Sequence, residues 1–238
     1  MTREVFQELD FQATPMGELV LRRTHPPSLD GEAVYEVTLD GEFLMSSLVT
    51  DSERALARRT LGLFGARPAR VLVGGLGLGY TAAAALEFDF VTELVVLEAH
   101  AHVIRWHHDR LVPASASLAA DPRCSFVEQD FFAWARDADV TPAGRFDAIL
   151  VDIDHSPDEP LDPSHADLYT TAGLRRLASR LSPGGVFGLW SAEPPDPAFV
   201  ARLSKVFTDA VGLVETFRNP LIDAEDANTI YVAHAAGS

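Results

Sequence analysis

A short apolar run, Val71-Leu72-Val73, passes straight into Gly74-Gly75-Leu76-Gly77-Leu78-Gly79 and then into Tyr80-Thr81-Ala82-Ala83-Ala84-Ala85. A buried strand, a glycine turn and a helix in immediate succession leave few folds open. Glycines let the backbone come close to a ligand, and the unpaired N–H groups of the next helix attract its polar parts. This strand–loop–helix is the core unit of a nucleotide or nucleoside site, and it belongs in an α/β sheet.

The chain from residue 70 onward fits such a sheet. The segments 71–73, 94–97, 125–127, 148–151 and 186–189 are apolar at nearly every position, as strands buried on both faces are. They alternate with helices expected at 80–88, 101–111, 168–181 and 197–211, which implies a parallel, doubly wound arrangement. The closing segments 213–218 and 229–233 are joined too closely for a helical crossover, so they pair antiparallel. Residues 1–49 read differently. Short alternating segments at 5–11, 18–22, 33–39 and 42–49 are separated by Pro15, Gly17, Pro26, Pro27, Gly31 and Gly41, and Asp40-Gly41 is a two-residue hairpin turn. Thr50 and Glu53 have capping-box spacing and open a helix that ends before Pro68. The expected division is an antiparallel β lobe at 1–49 and a nucleoside-binding domain at 50–238.

With 238 residues and 47% hydrophobic content, one such domain and a small lobe can bury a sizeable core. The 19 basic and 35 acidic residues leave a formal charge of −16, which repels polyanions and argues against a nucleic-acid partner. Arg54, Arg58, Arg59, Arg67 and Arg70 do cluster, but with the spacing of a solvated helix face and turn. No run reaches the ~18 apolar residues of a membrane span. The first ten residues lack a basic stretch followed by an apolar one, so no signal peptide is read and a cytoplasmic place is expected. The single cysteine, Cys124, excludes an internal disulfide.

Acids stand at the ends of successive strands. Glu98 closes the second, where a carboxylate accepts hydrogen bonds from both hydroxyls of a ribose. Gln129-Asp130 follow the third, where a carboxylate can accept from the exocyclic amine of adenine. Asp152-Ile153-Asp154-His155 end the fourth, and alternation puts Asp152 and Asp154 on one side of an extended segment as candidate catalytic acids. The stretch to Asp167 also holds Asp158, Glu159, Asp162 and His165 among prolines and reads as a lid; it lacks metal-ligand spacing, so no metal is expected. Tyr169 and Trp190 are candidate walls of an acceptor pocket. No serine nucleophile elbow or Cys–His pair is present.

Taken in order, Leu39-Asp40-Gly41, the glycine loop, Leu97-Glu98, Gln129-Asp130, Asp147-Ala148-Ile149-Leu150-Val151-Asp152, Leu168-Tyr169 and Ser182-Pro183-Gly184-Gly185-Val186 resemble the spermidine/spermine synthase family over nearly the whole chain. The resemblance implies a Rossmann-like, doubly wound methyltransferase sheet with a small N-terminal antiparallel β lobe, often assembled as a homodimer. It implies aminopropyl transfer from decarboxylated S-adenosylmethionine to an amine. Gly74, Gly75, Gly77 and Gly79 would then cradle the donor, Glu98 would hold its ribose, Gln129-Asp130 its adenine, and Asp152 would stand beside the reacting amine.

Three positions depart from the family. Its glycine loop carries an aspartate that grips the donor's free amine, where this chain has Leu78; its glutamine and tyrosine beyond the hairpin fall near Leu44 and Ala55. The stretch Val151-Asp152-Ile153-Asp154-His155-Ser156 instead resembles relatives that methylate amines, including protein N-termini and lysines, with ordinary S-adenosylmethionine. The leading expectation is therefore methyl transfer from S-adenosylmethionine to a small-molecule or peptide amine, with aminopropyl transfer as the alternative. Two other classes stay open: a decayed synthase that binds a nucleoside or polyamine, and an NAD-dependent oxidoreductase, since Gly77-Leu78-Gly79-Tyr80-Thr81-Ala82 fits G-x-G-x-x-A. The oxidoreductase ranks lower because no second nucleotide-binding half is present.

Overall fold

The computed structural model describes residues 7–14, 17–26, 29, 31–137, 141–220 and 223–237. The chain opens with an antiparallel sheet of four strands in sequence order: β1 (Gln7–Thr14), β2 (Gly17–Thr24), β3 (Val34–Leu39) and β4 (Glu42–Ser46). Of the strand expected at 5–11, residues 5 and 6 lie outside the described residues, as do Pro15 and Pro27. The hairpin turn is where the sequence put it. Asp40 and Gly41 have φ of 52° and 82°, the double positive value of a tight I′ turn, and Leu39 pairs with Glu42 across it.

Helix α1 (Asp51–Leu61) follows, but the capping box does not form. The Thr50 hydroxyl meets Arg54 Nε at 3.3 Å and caps no backbone N–H, while Glu53 receives the Ser52 hydroxyl. The helix is helped by charge: Asp51 and Glu53 lie in its first turn, and Arg58 and Arg59 in its last, each opposite the nearby pole of the helix dipole.

The main sheet has seven strands: β5 (Ala69–Gly74), β6 (Val91–Glu98), β7 (Cys124–Glu128), β8 (Phe146–Val151), β9 (Leu181–Ser191), β10 (Thr208–Asn219) and β11 (Ala224–His234), in the order β10-β11-β9-β8-β5-β6-β7. From β7 to β9 neighbouring strands run parallel; β11 pairs antiparallel with β9 and with β10. Along the strands successive residues enter different cores. Val71, Val73, Leu94, Val96, Ala148 and Leu150 join one apolar cluster, and Leu72, Val95, Leu97, Ile149 and Val151 join the other. The first core also holds α1, α2 (Tyr80–Ala85) and α3 (Ala101–His108). The second holds α5 (Phe131–Arg136), α6 (Thr171–Ser179) and α7 (Pro197–Leu203). A short α4 (Ser115–Ala120) precedes β7.

Leu19, Leu21 and Val37 of the N-terminal sheet belong to the first core, beside Leu56 of α1. Helix α1 lies so close to β9 that a Cβ on Gly188 would fall 2.0 Å from Thr60 Oγ1, so only glycine fits there. All four helices expected beyond residue 70 are shorter than their pattern; α2 stops at Ala85 and α3 at His108, short of the expected 88 and 111. The one expected at 168–181 begins at Thr171, because a 3₁₀ turn (Pro163–Asp167) comes first and the Thr170 hydroxyl caps Gly173 N at 3.0 Å. The one expected at 197–211 ends at Leu203 and yields to β10.

Candidate functional site

The glycine loop leaves β5 at the carboxyl end of the sheet, where open α/β folds place their ligands. Gly75 has φ of +92°, and a Cβ there would lie 2.1 Å from the carbonyl oxygen of Asp152, so loop and β8 end can meet only over a glycine. Behind the loop, buried His107 donates from Nε2 to Gly77 O at 2.9 Å, and burial holds its pKa below the usual histidine value. A neutral ring thus supports the loop from inside.

Two adjacent cavities open beside this loop. The first, about 330 Å³, is lined by Gly75, Gly77, Glu98, Asp130, Asp152 and His165, with Leu19 and Val37 of the N-terminal sheet as apolar wall. The volume is within the range of small-ligand pockets. Glu98 is only 8% exposed, and its two oxygens each accept one backbone N–H, from Leu76 at 3.1 Å and His100 at 2.8 Å. A carboxylate oxygen has a second lone pair, so both can still accept from a ligand. Asp130 caps α5 by accepting from Phe132 N at 2.8 Å through one oxygen. Buried Gly74 and half-buried Gln129 line neither cavity; Gln129 Nε2 donates to Asp130 O.

The second cavity, about 380 Å³, is lined by Glu53, Leu78, Gly79, Tyr80 and Trp190, and by Phe217 and Asn228 from the terminal hairpin. Asp152 lines both cavities, as do Met45, Gly77 and Leu161. Its Oδ2 accepts from the Thr81 hydroxyl at 2.5 Å, and burial pushes its pKa up to about 6. Glu53 was missed by sequence reasoning, which gave it a capping role. Burial and the neighbouring Asp152 charge push its pKa up to about 7.

The second acid of the strand end has another task than expected. Asp154 is 2% exposed and spends both oxygens on the following segment: Oδ1 accepts from Leu161 N at 2.8 Å and from His165 Nδ1 at 2.7 Å, and Oδ2 from Tyr169 OH at 2.6 Å. It pins the roof of the first cavity, and Asp152 is left as the strand-end acid with a face on both spaces. Tyr169 is likewise not in the acceptor wall. The 3₁₀ turn carries it into the core between Phe132 and Phe199, and its outer edge borders a separate open hollow of about 680 Å³ near Asp158 and Arg202. Trp190 does line the second cavity, and its Nε1 donates to Ser52 Oγ at 3.0 Å. At the rim of the second cavity, which His155 lines, exposed His155, Glu159 and Glu193 bring one ligand atom each within 4.8 Å of one another.

Among solved structures, spermidine synthase from Thermotoga maritima superposes with a TM-score of 0.72 at 19% identity, over 96% of this chain and 72% of that one. The fold is spermidine-synthase-like, of the class I methyltransferase type. A spermidine synthase in complex with the transition-state analogue AdoDATO gives a TM-score of 0.71 at 18% identity, over the same shares. The N-methyltransferase NodS from Bradyrhizobium japonicum WM9 gives 0.53 at 14% identity, over 77% of this chain and 94% of that one. At these identities the likeness is one of fold. No protein-family model and no curated protein sequence matches the chain. No described helix is long and apolar enough to cross a membrane.

Proposed function

We propose that the chain transfers a group from an adenosyl sulfonium donor to an amine, with S-adenosylmethionine as donor and methyl as the group. The observation that carries this reading is Asp152, an acid on the wall shared by two cavities, with ribose-type and adenine-type acceptors around the first and an apolar enclosure in the second. S-adenosylmethionine supplies an activated methyl carbon whose bond to sulfur breaks with its electron pair going to the sulfur. Glu98 accepts from the two ribose hydroxyls, and the free oxygen of Asp130 accepts from the adenine amine. The acceptor arrives as an ammonium ion, and Asp152 draws it to the shared wall and takes its proton, which frees the nitrogen lone pair for an in-line approach. Its raised pKa suits that work near neutral pH.

A second reading has its own observation. Among the described residues lining the two cavities there is no lysine or arginine to meet a donor carboxylate, whereas Glu53 and Asp152 can meet an ammonium group. That suits decarboxylated S-adenosylmethionine and aminopropyl transfer. Calorimetry with S-adenosylmethionine, its decarboxylated form, 5′-methylthioadenosine and NAD tests both readings. Binding of methylthioadenosine without NAD is expected. A preference above tenfold for the decarboxylated donor, about 1.4 kcal/mol, selects the aminopropyl reading, and no nucleoside binding at all overturns both.

A further inference from the structure

Among the described residues four acids line the second cavity, Glu53, Asp152, Asp154 and Asp226, and the first two form an interacting pair in its wall. Glu53 comes from the first turn of α1 and Asp152 from the end of β8, and the buried Thr81 hydroxyl ties the two segments together, 2.5 Å from Asp152 Oδ2 and 3.1 Å from the main-chain carbonyl oxygen of Glu53. Glu53 is fixed by a relay from the opposite wall: Trp190 Nε1 donates to Ser52 Oγ, and the Ser52 hydroxyl donates to Glu53 Oε2 at 3.0 Å. Two half-buried carboxylates repel each other, and near neutral pH they retain protons that exposed acids would have lost. A cation placed between them relieves that repulsion.

The rest of the cavity is poor in charge. Leu48, Leu78, Trp190 and Phe217 supply apolar surface, and Asp154 is fully engaged with the roof. Asp226, on the terminal hairpin, is exposed and tied to Asn219 Nδ2 at 3.0 Å and to Ala227 N at 2.9 Å. A charge in that setting pulls weakly on a second cation, because water and salt screen it.

The geometry points to an acceptor with one cationic nitrogen, seated between Glu53 and Asp152, and an apolar body lying along Leu78, Trp190 and Phe217. Glu53 is then a second substrate-contacting acid of the transfer. The step balances. The acid pair holding one proton accepts another from the ammonium, leaving a neutral amine; the nitrogen lone pair forms the bond to the transferred carbon, the carbon–sulfur bond breaks, and its pair stays on sulfur. The product leaves as a substituted ammonium, and the pair returns one proton to water.

The inference rests on the transferase reading for its chemistry, but its test needs no donor. Calorimetry on the full chain at pH 7 compares 2-phenylethylamine, the neutral 2-phenylethanol and the diamine putrescine, with 5′-methylthioadenosine titrated separately. The expected result is at least tenfold tighter binding of phenylethylamine than of either other probe. Glu53→Gln should reduce the amine-over-alcohol ratio at least fivefold while leaving methylthioadenosine affinity unchanged. Equal binding of amine and alcohol by the wild type overturns the inference, as does tighter binding of putrescine than of phenylethylamine. An unchanged ratio in a Glu53→Gln chain that melts as the wild type removes Glu53 from the site. Loss of methylthioadenosine binding in the wild type overturns the nucleoside reading alone, because the amine comparison is read without it.

Discussion

The two cavities are assembled by different rules. The polar groups of the first, Gly75, Glu98 and Asp130, come one from each strand end in chain order, as the parallel sheet repeats its β-turn-α unit. The second draws Glu53 from α1, Leu78 from the glycine loop, Trp190 from β9 and Asn228 from β11. If the first cavity holds the donor, as proposed, its polar groups from the repeated unit change only with the sheet. On that reading an acceptor cleft made of unrelated segments can be reshaped by substitutions at Trp190 or Phe217, neither of which lines the first cavity. This is a physical route to a changed acceptor on a preserved donor site.

Asp152, which borders both, gives the largest expected effect. Asp152→Asn keeps the shape but removes charge and basicity, so turnover of an amine acceptor should fall by roughly 10² to 10⁴ with methylthioadenosine affinity nearly constant. Equal loss of both in kinetics and calorimetry would erase the division between the cavities. Next comes Asp154→Ala. It strands the buried Tyr169 hydroxyl and removes the partner of the more exposed Leu161 N and His165 Nδ1, and should cost about 3 kcal/mol of stability by denaturant unfolding. A stable variant with slowed turnover would return Asp154 to the chemistry.

Glu98→Ala tests the first cavity by itself. Two ribose hydroxyls lose their acceptor, and methylthioadenosine binding should weaken by about 1.5 to 3 kcal/mol in calorimetry, with phenylethylamine binding unaltered. The smallest effect is on pH and stability. The folded chain keeps a proton on Glu53 up to about pH 7, whereas an ordinary glutamate loses it near 4.5. The folded state therefore binds more protons across that window, and stability falls as pH rises through it. Glu53→Gln should match the wild type near pH 4 and exceed it at pH 8 by on the order of 1 kcal/mol, roughly 2 to 4 °C in Tm. A Tm difference independent of pH would show that the strain at Glu53 is not electrostatic.

The contrast between the cavities also explains what the sequence made legible. Strands apolar at nearly every position announced a sheet covered on both faces, and acids at their ends announced a cleft, because both are local patterns with few competing meanings. Helix α5 escaped notice: Phe131-Phe132-Ala133-Trp134-Ala135 is too short and too uniformly apolar to show a helical period. Glu53 was hidden by a nearer explanation, its three-residue spacing from Thr50, and only the packing of α1 against the glycine loop and β9 shows where it points. Tyr169 was misplaced because a 3₁₀ turn rotates the chain before α6 begins, and no composition rule fixes that rotation. Pairwise tertiary placement, not element type, was the missing information.

The Asp154 anchor has a consequence for ligand exchange. One carboxylate gathers residues 161, 165 and 169, and the intervening chain carries Pro157, Pro160 and Pro163, whose rings fix their own φ angles. The conformational entropy of that segment is therefore surrendered when the chain folds, not when a ligand arrives. On the proposed reading a nucleoside entering the first cavity has little of this segment left to immobilise, so its association entropy should be less unfavourable.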